Sequence, residues 1–180
     1  QIQGAGDSAA ITGVVTTKGV VVGDYEGASP ALRGFYLQDP SGDNDPATSD
    51  AIFVFNGSNN SVSLGDLVLV RGTAEEFQGQ TQISSVSSIV ACGVGSVTPV
   101  DVTLPFESAA YPERYEGMLV RLPQTLYVTE HFQLGRFGQV VLSSGGRLPQ
   151  PTNILSPGAP ALAQQAANDL NRIILDDATQ

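Results

Sequence analysis

The chain has 180 residues, enough for one large or two small domains. Its net charge of −10 with a single Lys repels a phosphate backbone at long range, so any nucleic-acid site must be local. No run approaches the about 18 consecutive apolar residues of a membrane helix, which argues against membrane insertion, and one Cys with one His excludes an internal disulfide and a zinc cluster.

Gln1 to Ala10 is a polar lead-in without Met or a charged-then-apolar leader, so the chain reads as a piece of a longer protein. Ile11 to Tyr25 is β-branched and carries Gly13 and Gly19, the pattern of a long bent strand. Arg33 to Asp39 predicts a second, aromatic strand, and Ala51 to Phe55 a third. Between them lies the turn-rich acidic loop of residues 40–50. Gly65-Asp66 signals a turn into a strand from Leu67 to Phe77, interrupted at Gly72, where a bulge or sharp bend is expected. Gln78-Gly79 closes a hairpin onto a return strand from Thr81 to Ala91. Five strands, two kinked by glycine, predict a small closed barrel over residues 1–93.

Residues 94–110 read as an extended, Pro-bearing linker, and residues 111–180 as a second β unit. There Glu113 to Leu122 and Leu126 to Phe132 predict strands. Gly135 to Gly138 is a turn into Gln139 to Ser143, and Gly145-Gly146 another turn. Pro160 to Leu170, rich in Ala and Gln, is the one strong helix, ending near Asn171. Arg172 to Asp177 is a last strand. Cys92 is expected to be a buried thiol or half of a bridge to a segment outside this chain.

The series GFYLQD, AIFVF, GDLVLVRG and EEFQGQTQI resembles the OB-fold of the helicase and tRNA-anticodon type. The resemblance implies an all-β protein, with an OB-fold-like five-stranded barrel followed by a second OB-like β unit with one helix. That second unit lacks a GDxVxVxG hairpin of its own before Gln180, so it is either incomplete or a partial barrel. QIQGAG, LQDPSGDNDPATSDAIFVF and RYEGMLVRLPQTLYVTEHFQLGRFGQVVLSSGGRL are similar to the N-terminal region of bacterial extracellular endonucleases. That family implies a secreted, metal-dependent nuclease whose catalytic domain, of the endonuclease/exonuclease/phosphatase type, follows this region. The partners implied are single-stranded or duplex nucleic acid and that catalytic domain of the same parent chain.

The chain itself carries no visible catalytic set. His131 has no Ser/Asp partners at a recognisable spacing, no Gly-rich loop leads into a helix, and no paired acids stand beside a base. The fragment is therefore read as non-catalytic. Two constellations remain. The first is Tyr25, Arg33, Tyr36, Gln38, Phe55, Arg71 and Phe77, aromatic and cationic residues of the type with which OB-folds stack bases and track phosphates. Alternation makes Phe35 and Phe53 the rings expected in the core, while Tyr36, Gln38 and Arg71 are open between packing and ligand. The second is Asp39, Asp43, Asp45 and Asp50, hard oxygen donors in one loop with Gly42 allowing a tight bend. Calcium takes six to eight oxygens, but the spacing is not that of an EF-hand, and the other reading is an ordinary loop of Asx-turns. The rival to nucleic-acid binding is a structural spacer or protein-interaction module that packs on the catalytic domain, which the charge of −10 favours.

Overall fold

A computed structural model describes residues 2–6, 8–28 and 32–178. Five strands, β1 (Gly13–Tyr25), β2 (Gly34–Gln38), β3 (Ala51–Phe55), β4 (Asp66–Phe77) and β5 (Gln80–Val94), close into a barrel in the order β1-β2-β3-β5-β4. All neighbours are antiparallel except β3 and β5, which run parallel. This is the five-stranded, OB-like barrel expected from the sequence.

Closure depends on two long strands that each turn a corner. β1 pairs with β4 from Gly13 to Val20 and with β2 from Val20 to Tyr25. Gly19 sits at the handover, where a Cβ would lie 2.7 Å from the Gln38 carbonyl oxygen. On β4 the register with β5 shifts between Arg71 and Thr73, so Gly72 is the kink. A Cβ there would lie 2.5 Å from Ile83 Cγ2 and 2.7 Å from the Ser84 oxygen. The β4–β5 hairpin turns through Gln78 at φ 53° and Gly79 at φ 80°, both left-handed as a type I′ turn requires.

Val21, Phe35, Leu37, Ile52, Val54, Val62, Val68, Val70 and Ile83 form the barrel core. The alternation that buries Phe35 and Leu37 turns Gly34, Tyr36 and Gln38 outward, and the burial of Ile52 and Val54 does the same for Phe53 and Phe55. Cys92 lies at the end of β5 and is exposed, not the buried thiol expected, because this part of the strand runs past the barrel core.

The chain divides into two compact units, one up to Val100 together with Pro112–Val120, the other Asp101–Tyr111 with residues from Arg121 onward. This differs from boundaries at 93 and 111, because residues 116–119 hydrogen-bond to β2 and β5. β6 (Val100–Asp101) and β7 (Val120–Arg121) pair as a two-stranded sheet. Of the strand expected over Glu113 to Leu122 only β7 forms, and the chain before it is a 3-10 turn, Tyr111–Tyr115, and an irregular stretch.

In the second unit β8 (Leu126–Glu130), β9 (Val140–Ser144) and β10 (Ile173–Leu175) form an antiparallel sheet in the order β10-β9-β8. Among the described residues these three strands form an open sheet and not a closed barrel. α1 (Leu134–Phe137) is a single turn where a plain turn was expected, capped by Gly138 at φ 68°. α2 (Pro151–Ile154) is equally short, and α3 (Ala159–Leu170) is the predicted helix, ending at Asn171. Asn171 receives the Ser144 hydroxyl at 2.7 Å, and Asn168 donates to the Pro149 oxygen at 2.9 Å. Among the described residues no helix is long and apolar enough to cross a membrane.

Candidate nucleic-acid interface

The outer face of β1, β2 and β3 gathers four of the seven predicted contact residues. Register sets Tyr25 opposite Gly34, Gly34 opposite Phe55, and Tyr36 opposite Phe53. With only hydrogen at Gly34, the Phe53 ring lies across the strand, and a Cβ there would be 2.6 Å from Phe53 Cζ. Tyr36 stacks tilted on Phe53 at 5.0 Å, and Tyr25 meets Tyr36 edge-on at 6.0 Å. Phe53 is buried, as expected, but on the outer face beneath Tyr36 and not in the barrel core.

Arg33 enters β2 at φ 65°, a left-handed conformation rare for a non-glycine residue. Its N–H donates to the Tyr25 oxygen at 2.9 Å and its own oxygen accepts from Asn56 at 3.0 Å, so the strand ends on either side hold it. The guanidinium lies 5.4 Å over the Phe55 ring. Its Nε is buried without a hydrogen-bond partner. Asn56 is in turn held by Glu26 and Ser61, and Glu26 accepts the amides of Ser61 at 2.6 Å and Val62 at 3.0 Å. Glu26 and Asn56 thus set the loop that positions Arg33.

The remaining three residues fare differently. Gln38 is only 3% exposed, and its Oε1 accepts the Leu119 N–H at 2.8 Å. It is covered by residues 116–119 and so is not part of the exposed face. Arg71 is exposed on β4 between Thr16 and Ser88, at the opposite end of β1 from Tyr25. The aromatic face does not include it. Phe77 is 55% exposed beside the hairpin turn, and its cross-strand neighbour Gln80 donates to the Tyr36 hydroxyl at 3.2 Å. It flanks the face.

The field at this face is mixed. Burial holds the Tyr36 phenol above its ordinary range, with Tyr25 and Glu116 adding to the effect. Glu116 accepts the Thr81 amide at 2.9 Å, and burial, helped by Glu113 and Glu76, pushes its carboxyl up to about 7. Sequence reasoning found neither Glu116 nor Ser49, whose hydroxyl donates to the Glu116 oxygen at 2.6 Å. No local pattern marks contacts between residues so distant in the chain.

The acidic loop closes on itself. Asp39, Asp43 and Asp45 accept the amides two residues on, from Ser41, Asp45 and Ala47, at 2.9, 2.8 and 2.9 Å. These are Asx-turns. Asp43 also accepts the Thr48 hydroxyl, and Asp50 accepts the Asp43 amide at 3.1 Å. Gly42, at φ 61°, packs against the Asp50 carboxylate. Asp39, Asp43 and Asp50 line a cavity of about 170 Å³ with Lys18, while Asp45 is outside it. Burial, with Asp43 and Asp39, raises the Asp50 carboxyl. Among the described residues no group of three or more His, Cys, Asp or Glu is arranged to hold a metal. One oxygen of each of the four aspartates serves an amide of the loop itself. His131 is exposed just before α1.

Fold and face together define an OB-like barrel with an aromatic outer surface, followed by a partial β unit. No family model and no curated protein matches the chain. Among solved structures, the hypothetical protein ygiW from E. coli is similar at 23% identity and a TM-score of 0.30, over 44% of this chain and 75% of its own. So slight a likeness carries no argument, and the fold assignment rests on the strand order.

Proposed function

We propose that the first unit is a non-catalytic module that binds single-stranded nucleic acid and presents it to a catalytic nuclease domain of a longer, secreted bacterial protein. The observation that carries this reading is the Arg33 guanidinium over Phe55, beside Tyr25 and Tyr36, on the outer surface of β1–β3. Rings offer a stacking surface indifferent to base identity, and a cation beside them meets the phosphate. Tyr25, 41% exposed, is the accessible ring, and Tyr36 stands behind it. With a net charge of −10 the long-range field opposes approach, so the affinity is weak and local in origin.

The test is a titration of the 180-residue chain with labelled oligothymidylate at low salt, with and without calcium. Saturable binding that Arg33→Ala weakens supports the reading, and no binding under either condition ends it. A calcium effect on affinity, lost in Asp50→Asn, would restore a cation to the acidic loop.

A second reading is a spacer or protein-interaction module. One observation favours it: residues 116–119 already lie over Gln38 and against Tyr36. Failure of the titration, with the barrel intact by circular dichroism, selects it.

A further inference from the structure

We propose that residues 116–119 form a strap over the outer face of β2 and β3 that opens and closes, gating access to Tyr36 and its neighbours. What the strap admits rests on the nucleic-acid reading above; its movement is a property of this chain alone.

Backbone bonds hold its ends, Glu116 N–H to the Glu113 oxygen at 3.0 Å, Met118 N–H to the Tyr115 oxygen at 3.0 Å and Val100 N–H to the Leu119 oxygen at 3.1 Å, and three contacts that involve a side chain tie it to the barrel face. The Ser49 hydroxyl donates to the Glu116 backbone oxygen at 2.6 Å, the Thr81 amide to Glu116 Oε1 at 2.9 Å, and the Leu119 amide to Gln38 Oε1 at 2.8 Å. Between the anchors Gly117 passes Tyr36 at φ 71°, so close that a Cβ would lie 3.2 Å from Tyr36 Cδ1 and 3.6 Å from Ala51 Cβ. The segment has no strand or helix of its own, and all four residues are only half-buried. A half-buried segment without regular structure, tied to the barrel face by a few hydrogen bonds, belongs to the part of a fold that opens first. Beneath it lie outward-facing residues, Tyr36 and Gln38, which would otherwise extend the aromatic face.

The middle anchor is sensitive to protons. The Glu116 carboxyl meets Glu76 from β4, Glu113 from the preceding 3-10 turn, the Thr81 N–H from β5 and Tyr36 from β2. Burial disfavours its ionised form, and the nearby Glu113 and Glu76 add to the effect, which together raise the carboxyl from 4.5 to about 7. The closed state therefore prefers the neutral acid, whose carbonyl still accepts from Thr81. Closure is complete below the ordinary carboxyl range and is lost as pH rises through about 7. The closing constant weakens by at most about tenfold per pH unit in that window.

Amide resonances of Thr81 and Leu119 in the isotope-labelled chain, followed from acid to mildly alkaline pH, test the strap. Leu119 is anchored through Gln38 and not through the carboxylate, so it responds only if the strap moves. Both amides should titrate with a shared midpoint near 7, and Glu116→Gln should abolish the transition in both. Gly117→Ala should shift Leu119 to its open position even in acid. A Thr81 transition with Leu119 unmoved, in wild type and in Gly117→Ala alike, would overturn the proposal, since Glu116 would then titrate inside a fixed segment. Oligothymidylate separates the two readings. Binding several-fold tighter in Gly117→Ala than in wild type at acid pH supports the gate, and equal affinity with Leu119 shifted overturns it. If neither protein binds while Leu119 still titrates, the movement stands and the nucleic-acid reading falls.

Discussion

At the scale of single residues, outward position on the barrel and availability to a ligand are different things. Tyr25, Tyr36, Gln38 and Phe53 all face outward, yet Gln38 and Phe53 are buried and Tyr36 is half-buried. Tyr25→Ala should thus be the substitution that weakens strand binding, by about 1–3 kcal/mol, the worth of one stacked base. Arg71→Ala should change it little, because Arg71 is not at that face. A fluorescence anisotropy titration of both variants decides it, and a larger loss for Arg71→Ala would relocate the site. Glu116 makes a second residue-scale prediction. Its folded carboxyl, near 7, lies above the unfolded value of 4.5, so the native state binds more protons between these pH values. Stability must fall as pH rises across that interval and level off above it. For a half-buried group we expect roughly 1–2 kcal/mol, less than the full shift would imply. Denaturation midpoints of wild type and Glu116→Gln across this range should diverge, with the variant the flatter of the two.

At the scale of elements, the barrel closes where glycine lets two long strands change partners. Gly72→Val would place a branched side chain against Ile83 and the Ser84 carbonyl, within 2.5–2.7 Å of backbone and core atoms. Relief requires β4 and β5 to part, and the cost should be roughly 3 kcal/mol or more. A thermal melt within a degree of wild type would show that the kink can absorb a side chain. The hairpin turn offers the opposite case. Gln78 holds φ 53°, strained for a residue with a Cβ, so Gln78→Gly should leave the barrel intact and raise its stability by up to about 1 kcal/mol.

At the scale of the molecule, charge sets the terms of any partnership. The −10 of the whole chain opposes a polyanion at a distance, and the first hundred residues carry −7 of it. Binding that comes from stacking and the Arg33 cation should show a shallow salt slope, about 0.7 per phosphate contacted. A steep slope would mean several cations at work and would refute the stacking origin. The same self-repulsion should let moderate salt raise the melting temperature.

The barrel was legible from local information. β-branched runs, aromatic alternation and glycines at 19 and 72 specify strands and their corners, because backbone sterics and side-chain period act within a few residues. α3 was legible for the same reason, as a run of strong helix formers closed by Asn171. The face was half legible: alternation separates Phe35 from Tyr36 without any knowledge of neighbours. What covers that face was not. The contacts of Glu116 with Thr81 and Ser49, and of Leu119 with Gln38, join residues far apart in the chain, and no residue type announces them. The acidic loop was ambiguous in the same way, since four aspartates suit a cation or a string of Asx-turns equally well. Only the folded backbone brings amides or open space to their oxygens, and here it brings amides to all four and a small cavity to Asp39, Asp43 and Asp50.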